Sequence, residues 1–463
     1  MIGRYLAAPM PQGLRRGKPS GFSGPADRDL LVGIGDDATV LRPRPGVYWS
    51  VTCDALNQGV HFFDWEGPRA VASKVFRSNL SDLAAMGAEP KFFWVCASLE
   101  RLSEDWLDGF FGETSAILRR YGGVLVGGDT TRGPTSFAVT ALGESREPPL
   151  LRSTAKPGDD IWVTGTLGRA KAALQCHFAA DFSQASRERG RDLAPALLQA
   201  LRRARGRNQN EPERALGAKA PAWFANGLTA PPSRRFDAWA GERAAGALGA
   251  PLFNDARFLS GKGFDSFERW FRRCEKKRVE PTPRFREVAA LRPALSAGLD
   301  VSDGFAQDLG HILERSGVAA TVRLSAIPLD KDSDAFWGEG AALRWALFGG
   351  DDYELILCAP RSRRGWIEKK AKKEGLKIAR VGKIEPVKSF SKRFGFGSRG
   401  GAEAAEAGAG AQAKARAGDS TERGKKEKRR GAPPSGARRI AFLDEDGARR
   451  FFDEPFGFDH FRP

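Results

Sequence analysis

The sequence predicts an α/β protein built as two units. Outside two long basic stretches, strand-like and helix-like segments alternate, and a polar, turn-rich join near residues 144–151 separates two such series. With 463 residues, 41% of them hydrophobic, the chain can bury the cores of two or three ordinary domains. In the first series, apolar runs place strands at 30–34, 47–52, 92–99, 124–126 and 136–142. Residues 68–86 read as a helix, with Pro68 in the first turn and Gly87 just past the end, and residues 104–120 read as another. The second series opens after a Lys-Pro-Gly-Asp turn with a strand at 161–163. It continues through helices at 168–176 and 284–297, a strand at 299–301, a helix at 305–315 and a strand at 353–358. The expected domains are residues 1–147 and 148–463, the second interrupted by insertions at about 178–280 and 387–439.

Composition removes several function classes. No apolar run approaches the ~18–20 residues of a membrane span, and the first twenty residues lack a secretory apolar core, so a cytoplasmic protein is expected. Cys53, Cys96, Cys176, Cys274 and Cys358 are scattered, without a CxxC pair, so neither a disulfide framework nor a zinc site is encoded. The four histidines, His61, His177, His311 and His460, show no metal-ligand spacing. The net charge of +17 is concentrated: residues 178–280 carry 20 Lys/Arg against 12 Asp/Glu, and residues 387–439 carry 14 against 5. The rest of the chain is close to neutral, so the excess reads as solvated insertion surface, and neither nucleic acid nor a membrane is an expected partner.

Chemistry is signalled by short acidic motifs at strand ends or on the following helix. They are GIGDDA (Asp36, Asp37), VTCD (Asp54), NLSD (Asn79, Asp82), VGGDTTRG (Asp129) and DVSDG (Asp300, Asp303). Carboxylates brought together repel one another and need cations to stay ionised. Magnesium suits such a site, since it takes oxygen ligands from a few carboxylates plus substrate phosphates. Asn79 and Asp82 are three apart and share a helix face. GIGDDA also fits the loose dinucleotide pattern, but two carboxylates would stand where a pyrophosphate needs bare amides, and TVLRPRPG breaks before a helix can start. No P-loop pattern is present.

These motifs, together with GVHF, RSTAKPGDDIWVTGTLG, PTPR, GGDDYEL and the terminal GFDHF, occur in an order that resembles the thiamine-monophosphate kinases of the aminoimidazole-ribonucleotide-synthetase-like superfamily. The resemblance spans about residues 30–177 and 281–386 plus the last few residues. It implies an N-terminal mixed sheet that binds ATP and magnesium and pairs in a homodimer, and a C-terminal α+β domain. It further implies ATP-dependent phosphorylation of thiamine monophosphate to thiamine diphosphate. By motif, Asp37, Thr52, Cys53, Asp54, Asp82, Asp129, Asp300 and Asp303 would hold Mg2+. Gly128, Asp129, Arg152 and Ser302 would lie at ATP, with Asp129, Asp303 and Arg152 serving the transfer. His61, Asp351 and Phe458 would meet the thiamine phosphate. A Gly-Val-His-Phe-Phe turn suits packing of His61 on a cationic heteroaromatic ring. The chain departs from the pattern in lacking an N-terminal Gly-Glu-Phe segment, in Cys53 for Thr and in Asp351 for Glu. Two other readings stay open: a different ATP-using member of the superfamily, and a non-catalytic protein whose basic insertions contact RNA.

Overall fold

The computed structural model describes residues 30–32, 40–41, 45–179, 262–394 and 439–450. Strands β1 (Leu30–Val32) and β2 (Val40–Leu41) form a short antiparallel ribbon. There follow β3 (Tyr48–Asn57), α1 (Pro68–Met86), β4 (Glu89–Leu99), α2 (Glu104–Tyr121), β5 (Val124–Arg132) and β6 (Ser136–Ser145). The long strands make a four-stranded sheet in the order β3-β6-β4-β5. Only β4 and β5 run parallel, and α2 supplies the crossover that a parallel pair requires.

Helix α1 is the element on which the site depends. Pro68 starts it at a position where a missing N–H costs nothing, and Gly87, at φ +72°, ends it in the left-handed conformation. Between these caps it is buried nearly all round, with Lys74, Arg77 and Asn79 included. Such burial means protein on both sides, and α1 indeed packs on β3 and β6 of the first sheet and on the edge of the second.

The second unit comprises β7 (Asp159–Thr164), α3 (Arg169–Ala179), α4 (Lys262–Val279), α5 (Phe285–Leu291), β8 (Ala297–Val301), α6 (Phe305–Ser316) and β9 (Ala319–Arg323). It continues with α7 (Asp332–Trp337), α8 (Ala341–Phe348), β10 (Glu354–Pro360), α9 (Arg364–Glu374), β11 (Ile378–Glu385), α10 (Val387–Phe394), β12 (Ile440–Leu443) and β13 (Arg449–Arg450). Its seven strands are ordered β13-β12-β9-β11-β7-β10-β8 and are antiparallel except for β12 beside β9. Edge strand β8 is the one against α1. Among the described residues, no helix is long and apolar enough to cross a membrane.

Several elements differ from the sequence expectations. The helix expected at 284–297 stops at Leu291, because Pro293 allows only a short 3-10 turn, and Ala297 already opens β8. Within the stretch 178–280, residues 180–261 lie outside the described residues, but α4 is an integral helix. Its Phe267, Trp270, Phe271 and Cys274 recur at helical spacing and pack on Ala172, Ala173 and Cys176 of α3. Within 387–439, residues 395–438 lie outside the described residues, while α10 buries Phe390 against Ala319 and Ala441. Replacing Phe390 by alanine should therefore lower the unfolding free energy by about 3–4 kcal/mol. Urea denaturation measures this, and an unchanged midpoint would show that α10 is not part of the core.

Candidate active site

Strand β3 alternates its side chains, so Thr52 and Asp54 share the face toward α1 while Cys53 points away. Thr52 Oγ1 donates to Asp82 Oδ2 at 2.5 Å, and Ser78, one turn earlier on α1 with its Oγ donating to the Val75 carbonyl at 3.2 Å, eases the charge of Asp54. Ser81 Oγ donates to Asp300 Oδ2 at 2.9 Å, so the same helix reaches the end of β8 in the second unit. Three carboxyls from three elements thus share one neighbourhood. Removal from water, then the charge of Asp54, pushes the Asp82 carboxyl up to about 7, against the opposing pull of Thr52 and Arg152. Burial raises Asp54, and burial followed by Asp82 and Asp308 holds Asp300 well above the usual carboxylate range. The side-chain carbonyl of Asn79, wholly buried, finds no donor among the described residues, although its amide donates to the Val75 carbonyl at 3.1 Å.

The turn from β8 into α6 adds a second acidic group. Asp308 accepts the N–H groups of Asp303 and Gly304 at 3.0 and 3.1 Å, closing the start of α6 from within its first turn. Burial and then Asp303 raise its pKa. Gln307 Nε2 donates to Asp303 Oδ2 at 3.0 Å, and one ligand atom each from Asp303, Asp308 and His311 lie within 4.8 Å of one another. Burial, then Arg152, lowers the His311 imidazole. The charge of the same arginine also reaches Asp82, and its backbone carbonyl is held by Ser316 Oγ at 2.8 Å.

A third group adjoins them. His61 Nδ1 accepts the Asn57 N–H at 3.0 Å, and Lys74 Nζ donates both to the His61 carbonyl and to Asp351 Oδ2, the latter at 2.9 Å. Burial would raise the Asp351 carboxyl, but Lys74, and further off His61 and Arg278, hold it below the usual range. Asp351 and Tyr353 adopt φ of +60° and +47°, a left-handed backbone that non-glycine residues avoid. Two bonds to β8 and its end enforce it, from the Asp351 N–H to the Ser302 carbonyl at 2.7 Å and from the Tyr353 N–H to the Val301 carbonyl at 2.8 Å. The Tyr353 hydroxyl donates to Asp351 Oδ1 at 3.4 Å, and its pKa is raised by burial and then by Asp351, Asp54, Asp300 and Asp82.

Not every expected residue joins them. Asp54 shares a row with Val139, Val95 and Gly128 across the sheet, which puts β5 three strand spacings, or about 14 Å, from β3. Asp129 projects from the opposite, open face, where it lines a shallow hollow with Cys96, Ser98 and Ala138. Gly128 is required where it stands, since an added Cβ would lie 2.0 Å from the Val95 carbonyl oxygen. Cys53 is on the open face too, its Sγ accepting from Thr140 Oγ1 at 3.4 Å. Asp36, Asp37 and Phe458 lie outside the described residues. Lys74, Ser78, Ser81 and Tyr353 escaped the sequence reading. A signal for two of them was available, because Lys74, Ser78 and Asp82 repeat at four-residue spacing on one helix face.

Residues 35–145 match the AIR synthase related protein, N-terminal domain, and residues 255–393 match its C-terminal domain. The thiamine-monophosphate kinase of Salmonella typhimurium is 31% identical over 357 residues, covering 77% of this chain and 85% of that one. The crystal structure of the thiamine-monophosphate kinase from Stenotrophomonas maltophilia K279a aligns with a TM-score of 0.54 at 33% identity, over 77% of this chain and 89% of that chain. AaThiL complexed with AMPPCP and TMP shares the fold at 21% identity and a TM-score of 0.50, over 74% of this chain and 83% of that chain. With both domains matched in order and full-length kinases alike over most of their length, this chain belongs to the thiamine-monophosphate kinase family of AIR-synthase-related enzymes.

Proposed function

We propose that the chain passes the γ-phosphoryl group of ATP directly to the phosphate of thiamine monophosphate by in-line displacement, giving thiamine diphosphate and ADP. The observation that carries this reading is that one helix, α1, joins the acidic group to the His61 and Asp351 group: Asp82 meets Thr52, Ser81 holds Asp300, and Lys74, two turns earlier, holds both the His61 loop and Asp351. The relative AaThiL holds AMPPCP and TMP together, which supports a ternary site.

A phosphate monoester has a second pKa near ~6, so the acceptor is already an anionic nucleophile at neutral pH and needs no base. The task left to the protein is to bring two anions together. Arg152 and Ser302 belong to the nucleotide side of the site. Arg152 supplies positive charge beside the acidic groups, and Asp303 at the start of α6 serves the transfer. His61 and Asp351 serve the thiamine side, with Lys74 fixing both. The donor set fits Mg2+: hard oxygen ligands, carboxyls that cannot all ionise without a cation, and an orphaned Asn79 carbonyl on the same helix. Asp54, Asp82, Asp300 and Asp303 would hold it, with Thr52 beside Asp82. When bound, the ion neutralises charge on the reacting phosphates. Asp129 and Cys53, facing away, are left out of the proposed metal set. The open face of the first sheet, where Val51 is 63% exposed beside Cys53, Ala55 and Cys96, is the surface that the expected homodimer would cover.

Purified protein given Mg-ATP and thiamine monophosphate should form thiamine diphosphate. Turnover of a different phosphate acceptor instead would defeat the substrate assignment. Asp82→Asn should cut kcat by about 100-fold or more while leaving the fold intact, and a wild-type rate would remove Asp82 from the metal set.

Stability should also follow pH in a defined direction. A carboxyl raised from 3.8 to about 7 on folding stabilises the native state below its unfolded pKa, and that contribution disappears as pH rises through 7. Asp352, also pushed to about 7 by burial, moves the same way, so the magnesium-dependent increment in Tm isolates the site. That increment should grow from pH 5.5 to pH 8 in the wild type and flatten in Asp82→Asn. An equal increment at both pH values would contradict the assignment.

A further inference from the structure

Behind the loop that carries His61 lies a set of buried charges that no step of the transfer uses. Glu66 ends this loop just before α1. Its Oε2 accepts the Phe63 N–H at 2.7 Å and its Oε1 accepts Arg278 Nη1 at 2.6 Å. Both side chains are almost inaccessible, at 3% and 2% exposure. Arg278, near the end of α4, also grips Glu275 with two nitrogens at 2.9 and 2.7 Å, and Glu275 in turn meets His177 Nε2 at 2.9 Å. An ion pair this deep is costly to desolvate and is no more stabilising than a well-packed apolar pair, so stability alone does not account for it. What it does fix is direction. The Glu66 carboxylate is held in one orientation by α4, and its other oxygen fixes the backbone two residues after His61, where the Phe63 and Trp65 rings stack at 4.3 Å. The charge of Arg278 reaches Asp351 on the far side of the same substrate region.

We propose that Arg278, acting through Glu66, is a positioning residue that fixes the loop at 57–66 in the conformation that presents His61 to the thiamine moiety. This rests on the assignment of His61 to the substrate. It places a determinant of substrate binding on α4, a helix that the sequence counts within a basic insertion.

Two readouts test it separately. Amide hydrogen exchange over residues 57–66 reports whether the loop is fixed, and steady-state kinetics report whether that fixing serves the substrate. Glu66→Ala removes both bonds while leaving Arg278 paired with Glu275, and Glu66→Gln keeps an acceptor for the Phe63 N–H. Glu66→Ala should speed exchange in the loop and raise KM for thiamine monophosphate about fivefold or more, with KM for ATP and kcat within about twofold. Glu66→Gln should recover part of both effects. In a His61→Ala background, Glu66→Ala should add nothing further to that KM. Unchanged loop exchange in Glu66→Ala overturns the positioning role, as does a KM effect that adds in full to that of His61→Ala. Faster exchange with an unchanged KM, alongside a His61→Ala variant of normal KM, overturns the substrate assignment instead. Should Glu66→Ala fail to fold, Glu66→Gln and Arg278→Lys against the wild type give the same discrimination.

Discussion

Like charges taken out of water together set the terms for this molecule. Asp54 comes from the first sheet, Asp82 from α1 and Asp300 from the edge of the second sheet, and each raises the energy of ionising another. Nothing local to any one motif creates this conflict. It exists only because α1 is buried between the two units, serving as core for both while offering Ser78, Asn79, Ser81 and Asp82 along its length. The docking of the two units and the assembly of the site are therefore one event.

The same helix separates opposite electrostatic environments by two turns. At its Asp82 end, acids crowd and their pKa values climb. At its Lys74 end, a buried ammonium stabilises Asp351 as an anion and holds the His61 loop by its backbone. Carboxyls of similar intrinsic strength are thereby driven in opposite directions, one set above the usual carboxylate range and the other below it. The strained backbone at Asp351 and Tyr353 is the cost of bringing the two ends into contact, and its bonds to Val301 and Ser302 sustain it.

Much of this was legible in the sequence, for physical reasons that also explain the rest. Helix α1 carries its start signal in Pro68 and its stop signal in Gly87, so both ends match the expectation. The acidic motifs announce themselves because carboxylates rarely cluster without a reason. Facing was the weak point. Cys53 and Asp54 are neighbours on a strand, so only one of them can look toward α1, and the alternation was open to reading. The placement of Asp129 depends instead on strand order, which no local pattern states. Helix α4 was hidden because its arginines and lysines dominate the composition, although 267, 270, 271 and 274 trace an apolar stripe. Arg278 could not be found at all from sequence, since its partners lie 3 and 212 residues away and the decisive one is the distant Glu66.

The central claim is that these carboxyls share protons until a divalent ion displaces them. Calorimetric titration of the nucleotide-free protein with MgCl2, repeated in buffers of different ionisation enthalpy, counts the protons released per ion bound. At pH 6.5 the account predicts release of at least about half a proton per ion, and distinctly less at pH 8.5, as follows from an Asp82 pKa of about 7. Magnesium binding at pH 6.5 with no proton release, or release that does not change with pH, would contradict it.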